Sequence, residues 1–215
     1  MPNTGKWTSW NANIEHEYNH LYKPTTEKEI CEIVKNAKTV RMIGTGKSSA
    51  DIVAGTETLI SYENYNQILS INETNNLITV QPGVRLKEFL QVLEKNNLAF
   101  PALPDIDDIT VGGAVATGTH GTGKIAQTLS EYIYSVHLVN AAGNIEIIDE
   151  TDDRFHAVKI SLGLLGIFTE ITFQCIPKKF LNVVERPMED SKWLTRYDTM
   201  LQENDFLRIL WLPHT

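Results

Sequence analysis

One stretch of the chain, residues 101–124, limits the local structure more than any other segment. It holds five of the 13 glycines, and small apolar or threonine residues separate them: Gly112, Gly113, Gly118, Gly121 and Gly123. Glycine adopts backbone conformations that other residues avoid and lets the backbone approach another molecule closely, but it weakens helices and strands. The stretch is therefore predicted to be a loop region and is the first candidate for a binding site.

A second glycine loop follows a predicted strand. Val40–Ile43 is short and rich in β-forming residues, and Gly44 and Gly46 come directly after it. The preceding helix is predicted over 27–37, because Thr26 and Glu29 have capping-box spacing and apolar residues then recur at the helical period. Glycine loops of this kind bind phosphate groups, because several backbone N–H groups can point at one anion.

The remaining pattern predicts a mixture of helices and antiparallel hairpins. Hairpins are expected over 68–80 and 133–148, helices over 86–95 and 152–162, and a strand over 166–175. Beyond Lys178, a helix is predicted over 191–203 and a strand over 206–211. A lone strand needs a neighbour, so we expect this tail to open a further domain that the given sequence does not contain.

Charge and cysteine content exclude several classes of protein. The net charge of −8 disfavours a partner with a phosphate backbone, so no nucleic acid is expected. The two cysteines, Cys31 and Cys175, form no CxxC pair, which indicates no metal site and a reducing compartment. The sequence shows neither a signal-peptide pattern nor the roughly 18 to 20 apolar residues of a membrane span. We therefore expect a cytoplasmic protein without a transmembrane segment.

Three interpretations compete for the glycine loops. Residues 118–124 fit the P-loop pattern G-x-x-x-x-G-K, but Ile125 stands where Ser or Thr should bind magnesium, and the GKS at 46–48 has Arg41 in place of the leading glycine. A dinucleotide-binding Rossmann motif after Val40–Ile43 lacks its third glycine, and residues 50–58 are short for a crossover helix. In the third interpretation, both loops hold one long ligand from two sides.

Four runs in order carry a family resemblance. They are RMIGTGKS at 41–48, VQPG at 80–83, the stretch 105–123 that ends in ATGTHGTG, and SLGLLGI at 161–167. Together they resemble the FAD-binding domain of the vanillyl-alcohol-oxidase superfamily, and within it the branch of aldonolactone oxidases, alditol (xylitol) oxidases and galactonolactone dehydrogenases. The resemblance implies an α+β fold, with a PCMH-type FAD-binding domain over 7–178 made of two subdomains, about 7–83 and 84–178. Residues 179–215 would begin the substrate or cap domain.

The resemblance also implies which residues hold the FAD. Residues 44–49 would bind the pyrophosphate, Thr110 and 113–116 would line the opposite side, and 117–121 would continue along the flavin. Ile167 would contact the adenosine end through its backbone, and Asp105 would lie near the isoalloxazine ring. The predicted set is Ile43, Gly44, Thr45, Gly46, Lys47, Ser48, Ser49, Asp105, Thr110, Gly113, Ala114, Val115, Ala116, Thr117, Gly118, His120, Gly121 and Ile167.

The implied chemistry is that of an FAD-dependent oxidoreductase acting on CH–OH groups. Lys47 stands where many relatives carry a histidine that bonds covalently to the flavin, and a protonated lysine has no lone pair to do so, which predicts non-covalent FAD. A sugar lactone or polyol would give a hydride to the flavin, and oxygen or another acceptor would reoxidise it. Catalytic residues are expected on the cap domain, so none is assigned. The alternative is a flavin-binding module without activity of its own.

Overall fold

The computed structural model describes residues 4–213, whose N-terminal part contains a hairpin and a small parallel sheet. The hairpin consists of β1 (Gly5–Thr8) and β2 (Glu15–Tyr18). The next elements are β3 (His20–Tyr22), α1 (Glu27–Asn36), β4 (Val40–Ile43) and β5 (Thr58–Ser61). Strands β3, β4 and β5 form a parallel sheet in the order β3-β5-β4, so β4 is an edge strand of this sheet.

A larger antiparallel sheet organises the rest of the chain. The elements in chain order are β6 (Ile68–Asn72), β7 (Leu77–Val80), α2 (Leu86–Lys95), β8 (Leu98–Ala99), α3 (Val111–Ala116), β9 (Ile133–Val139), β10 (Ile145–Asp149), α4 (Phe155–Lys159), β11 (Ile167–Gln174), β12 (Ile176–Pro177) and α5 (Asp190–Glu203). Five of the strands pair in the order β10-β9-β11-β7-β6, and β12 pairs with β8. The α+β fold class predicted from the sequence is confirmed.

Local sequence signals account for the two longest helices that pack against the sheets. The hydroxyl of Thr26 accepts a hydrogen bond from the Glu29 N–H, and the Glu29 carboxylate accepts from the Thr26 N–H, which is the predicted capping box. Helix α1 buries Ile30 and Val34 at helical spacing. Helix α2 has the predicted bounds 86–95 and buries its apolar face in the core. Both helix predictions are thus confirmed.

Two hydrophobic clusters fix the sheets and helices relative to each other. In the larger one, Phe89 of α2 lies against Phe100 and Phe173, with ring centroids 5.5 Å away from each. In the second, the apolar face of α1 packs against Val139 of β9 and Ile167 of β11. Helix α1 therefore joins the parallel sheet to the antiparallel sheet, and the interface between the sheets is partly apolar.

Two predicted elements of the C-terminal half are wrong in extent or kind. The helix predicted over 152–162 is reduced to α4, because the carboxylates of Asp149 and Asp152 accept backbone hydrogen bonds that hold residues 149–154 in turns. The strand predicted over 206–211 is absent from the described chain, where Phe206 instead packs beside Gly123. The last two residues of the chain, part of the expected start of the cap domain, lie outside the described residues.

The division into subdomains stays a prediction. Strand pairing changes from the parallel to the antiparallel sheet between β5 and β6, that is, between residues 61 and 68, whereas the sequence placed the division near residue 83. Across residues 4–213, none of the helices combines the length and the apolar character required to cross a bilayer.

Candidate functional site

An open cleft of about 330 Å³ lies where the two sheets meet. Three segments line it: the loop that follows β4, the loop and helix around α3, and the loop that leads into β11. Trp7, Tyr62 and Phe168 complete the lining with aromatic side chains. The hydroxyl of Tyr62 donates a buried hydrogen bond of 2.5 Å to the Phe168 carbonyl, which ties the two sheets together beside the cleft.

The loop after β4, residues 44–48, offers its backbone to the cleft. Gly46 has a positive φ of 66°, and a Cβ atom there would lie 2.9 Å from the Trp7 ring. Its carbonyl accepts a hydrogen bond from the Trp10 N–H, which holds the loop against the N-terminal hairpin. Among the hydrogen bonds of the described residues, none uses a backbone N–H of residues 45–48 as donor. These donors remain available to a ligand.

The second wall approaches the first so closely that a side chain would not fit. A Cβ atom on Gly44 would lie 2.0 Å from the Thr110 Oγ1, and one on Gly113 would lie 3.0 Å from the same atom. A Cβ atom on Gly112 would meet Pro82 at 2.5 Å. Gly44 is therefore required by the close approach of the two walls, whereas Gly112 is required by packing against Pro82 and Gly113 lies close to Thr110 of its own wall.

The third wall carries unusual backbone conformations. Leu162 has a positive φ of 51°, which is rare for a residue with a large side chain, and Gly163 and Gly166 also have positive φ. Arg41 reaches across and donates a hydrogen bond of 3.3 Å to the Leu162 carbonyl. The neighbouring Ser161 hydroxyl is buried and has no hydrogen-bond partner in the described chain. Strained residues and an unpaired buried hydroxyl are typical of functional loops.

A small group of charges surrounds Lys47 at the edge of the cleft. Its Nζ lies 3.6 Å from the Asp108 carboxylate and 4.2 Å from the centre of the Trp10 ring. Asp108 also pairs with Arg85 at 3.0 Å and Lys87 at 3.4 Å. Partial desolvation raises the pKa of Asp108, but the three cations outweigh it and hold that pKa below its ordinary value. Three positive charges against one negative charge leave this edge of the cleft cationic.

Most of the residues predicted to bind the cofactor meet at the cleft, although the assignment itself stays a prediction. Eleven of the eighteen line it: Ile43, Gly44, Thr45, Gly46, Lys47, Ser48, Thr110, Gly113, Ala114, Ala116 and Thr117. The other seven do not: Ser49, Asp105, Val115, Gly118, His120, Gly121 and Ile167. The first loop and the start of α3 thus come together as the third interpretation requires.

Each of four residues outside the lining has another contact. Asp105 forms an ion pair with Arg208 at 2.9 Å. The side chain of Val115 lies in the larger hydrophobic cluster. A Cβ atom on Gly121 would lie 2.1 Å from the Leu103 carbonyl, so this glycine serves packing. His120 is exposed, and its Nδ1 lies 3.0 Å from the Gly121 carbonyl.

The structure also argues against the P-loop and Rossmann interpretations of the glycine loops. Residues 44–57, which connect β4 to β5 and are all described by the structure, contain no helix. The crossover helix of a Rossmann motif is therefore missing. Lys124, the lysine of the P-loop pattern, donates its backbone N–H to the Asp205 carbonyl and its Nζ to the Gln202 carbonyl. It is therefore engaged by the C-terminal segment and not directed at a nucleotide.

Several lining residues were not in the predicted set. Trp7, Arg41, Tyr62, Leu162 and Phe168 line the cleft. Arg41 and Leu162 lie within runs that carry the resemblance, whereas the positions of Trp7, Tyr62 and Phe168 gave no signal. The SLGLLGI run did offer one, because its two glycines flank a short apolar segment just before a strand. Their positive φ values show that this run is a third glycine loop of the site.

Comparison with known families decides what the cleft belongs to. A family model described as "FAD binding domain" matches residues 19–149, more than half of the chain. The chain belongs to the FAD-binding domain family. A second model, described as "D-arabinono-1,4-lactone oxidase", matches residues 171–215.

The chain is similar to several curated oxidases and dehydrogenases along nearly its whole length. It is 30% identical over 216 residues to the L-gulonolactone oxidase of Scyliorhinus torazame, covering 98% of the chain and 49% of the relative. It is 28% identical to the D-arabinono-1,4-lactone oxidase of Candida albicans, covering 97% of the chain and 41% of the relative. It is 29% identical to the L-gulono-1,4-lactone dehydrogenase of Mycobacterium tuberculosis, covering 97% of the chain and 49% of the relative. The chain thus spans about half the length of these relatives.

A solved structure supports the fold of this family member. The cholesterol oxidase of B. sterolicum matches with a TM-score of 0.72 at 18% sequence identity, over 82% of the chain and 38% of that protein. At this identity the match shows the shared fold alone.

The residues at the cleft fit the chemistry of FAD. A pyrophosphate is bound by hydrogen-bond donors and positive charge, which the backbone N–H groups of residues 45–48 and the cluster around Lys47 could supply. The unpaired Ser161 hydroxyl provides a further polar group next to the lining residue Leu162. Aromatic and apolar residues on the remaining walls suit the flat rings of the cofactor.

Proposed function

We propose that this chain forms the FAD-binding part of an oxidoreductase that oxidises CH–OH groups of sugar lactones or polyols. The observation that carries the proposal is the cleft in which the glycine loops of both sheets face each other across the contact between Gly44 and Thr110. The names of the curated relatives support a sugar lactone in particular. The predicted site residues in the lining are our candidates for cofactor contacts.

Different residues of the cleft would contact different parts of the cofactor. Residues 45–48 would donate their backbone N–H groups to the pyrophosphate, while Thr110 and Gly113 would bound its opposite flank. Phe168 and Tyr62 would exclude water from the apolar part of the cofactor. When bound, the flavin supplies the acceptor for a hydride from the hydroxyl-bearing carbon of the substrate. Oxygen or another acceptor would then remove the two electrons.

A second candidate function is a flavin-binding module without turnover of its own. The observation that favours it is the length of the chain, which spans about half of the curated relatives. If the substrate-contacting residues lie in the part of the relatives that this chain does not span, the chain would bind flavin but not orient a substrate. A substrate that is not held in the right orientation lacks the large rate acceleration that positioning provides.

An absorption spectrum followed by turnover assays tests both functions. The protein, purified after expression or refilled with FAD, is expected to show the two visible flavin bands. Dye reduction with L-gulono-1,4-lactone, L-galactono-1,4-lactone and xylitol then separates an enzyme from a module, and oxygen consumption distinguishes an oxidase from a dehydrogenase. Colour without turnover favours the module. A colourless protein that takes up no FAD would contradict both.

The FAD is expected to be bound without a covalent link. Lys47 lines the cleft, and its ammonium group contacts the Asp108 carboxylate and the Trp10 ring. An ammonium group has no lone pair with which to bond to the flavin. Acid precipitation should therefore release all of the flavin into the supernatant. A denatured protein band that stays fluorescent on a gel would contradict this prediction.

The proposed location is the cytoplasm. Cys31 and Cys175 are both free thiols, and Cys175 is buried. Burial raises the pKa of the Cys175 thiol to about 12, so this cysteine is inert towards oxidation. Unpaired cysteines are usual in reducing compartments.

A further inference from the structure

Three potential metal ligands meet where α1 begins beside the antiparallel sheet. Glu27 is the first residue of α1, His137 lies on β9 and Glu170 lies on β11. The Nδ1 of His137 is 3.7 Å from the Glu27 Oε1 and 3.5 Å from the Glu170 Oε2, and one ligand atom from each residue lies within 4.8 Å of the others. None of the three lines the cleft, so this cluster is separate from the proposed FAD site.

The strand pairing places the two ligands of the sheet side by side. The register between β9 and β11 shifts between Phe168 and Glu170, which leaves Thr169 as the extra residue of a β-bulge. Beyond the bulge, Glu170 stands directly opposite His137, so their side chains share one face of the sheet. The buried Thr169 hydroxyl donates a hydrogen bond of 2.5 Å to the Glu27 Oε1 and fixes that carboxylate. Side chains that bind metals commonly form such a hydrogen bond with a neighbouring polar group, which orients them.

The charges of the cluster are not balanced by the protein. Within residues 4–213, neither Glu27 nor Glu170 forms an ion pair with a lysine or arginine, and their shared neighbour is the imidazole of His137. The side chains are only 28 to 30% exposed, so solvent screens the two carboxylates incompletely. Burial first, and then these two carboxylates, raise the pKa of the nearby Tyr65 phenol far above its ordinary value. The site thus has the negative potential that attracts a cation.

We propose that Glu27, His137 and Glu170 bind one divalent transition-metal ion of the zinc type. An imidazole nitrogen and two carboxylate oxygens are ligands that Zn²⁺ accepts, and a tetrahedral ion with bonds of about 2.1 Å needs them about 3.4 Å apart. The two distances from His137 are already close to that value, and rotation of the Glu170 side chain brings its carboxylate oxygen towards that of Glu27. Solvent at this half-buried site supplies the fourth ligand. The bound ion cross-links α1 to β9 and β11.

The sequence alone predicted no metal site. The ligands occupy positions 27, 137 and 170, so they share no short motif, and only the pairing of β9 with β11 and the packing of α1 bring them together. Metal motifs that a sequence reveals place at least two ligands within a few residues of each other.

Titration of the untagged protein with Co²⁺, followed by its visible absorption, and with Zn²⁺ by calorimetry tests the proposal. We expect one equivalent to bind. His137→Gln should weaken binding by more than about 100-fold, and Thr169→Val, which removes only the hydroxyl behind Glu27, by about 10- to 100-fold. The matched control is His156→Gln on α4, because His156 is exposed and stands outside the cluster, and it should bind as the parent does.

Thermal unfolding gives a second readout that does not depend on spectroscopy. Zn²⁺ should raise the melting temperature of the parent and of the His156→Gln variant, but not that of His137→Gln, because a ligand stabilises the folded state that binds it. Should the His137→Gln variant have a reduced circular dichroism signal, Glu170→Gln replaces it in both assays. A parent that binds no metal, or equal affinity in the parent and in both ligand variants, would overturn the proposal.

Discussion

Replacing Gly44 with alanine is expected to weaken FAD binding by about 100-fold. The new Cβ atom would lie 2.0 Å from the Thr110 Oγ1, so the loop after β4 and the wall formed by α3 must move apart. Excess volume of this kind costs about 1 to 3 kcal/mol, and 1.4 kcal/mol corresponds to a tenfold change in affinity. Because both walls would contact the same cofactor, we expect the upper end of that range. Quenching of flavin fluorescence during titration with FAD measures the dissociation constant.

A second substitution shows whether the clash or the loop itself is responsible. Thr110→Ala removes the atom that meets the new methyl group and leaves the Thr110 Cβ, at 3.2 Å, as the nearest part of that side chain. The Gly44→Ala/Thr110→Ala double variant should recover most of the lost affinity, while Thr110→Ala alone serves as the control. An unchanged dissociation constant in Gly44→Ala, or a double variant as weak as the single one, would count against the opposed-wall geometry.

Replacing Gly83 with alanine is expected to lower the free energy of unfolding by about 3 kcal/mol. A Cβ atom at this position would lie 2.3 Å from the carbonyl oxygens of both Tyr62 and Tyr65, and backbone atoms cannot rotate away as a flexible side chain can. The Gly83 N–H also donates to the Tyr65 carbonyl at 3.0 Å, so movement of the turn would break a hydrogen bond as well. Urea denaturation followed by circular dichroism measures the change.

Gly55→Ala is the matched control for this stability prediction. No atom would lie within 4 Å of the added methyl group there, although the positive φ of 70° makes alanine unfavourable by about 1 kcal/mol. The difference between the two variants therefore reports the steric contribution at Gly83. Equal losses of stability in both would mean that the close approach to Tyr62 and Tyr65 does not exist in solution.

Local patterns predicted the elements whose cause is local. The capping box at Thr26 and the apolar spacing of Leu86, Phe89 and Leu93 define helices α1 and α2, and both have nearly the predicted bounds. The loop after β4 was likewise found from two glycines that follow a β-rich run. In these cases one stretch of sequence contains all the residues that determine the structure.

Features that depend on distant partners were not predictable in this way. Phe206 looked like part of a strand, but it packs beside Gly123, and the described tail has no neighbouring strand to pair with. Val115 and Gly121 carried the same motif as their cleft-lining neighbours, yet one side chain faces the core and the other residue packs on Leu103. A motif gives the order of residues, whereas the face that each residue presents depends on the packing around it.

The pairing of β7 with β11 has a consequence for how the chain is made. Residues 77–80 hydrogen-bond with residues 171–174. Almost a hundred further residues must therefore be synthesised before β11 can pair with the edge of β7 that β6 leaves open. During synthesis on the ribosome, the parallel sheet can assemble early, whereas the hairpin of β6 and β7 stays open on one side. Such an unpaired edge is where a nascent chain is most exposed to misfolding and to capture by chaperones.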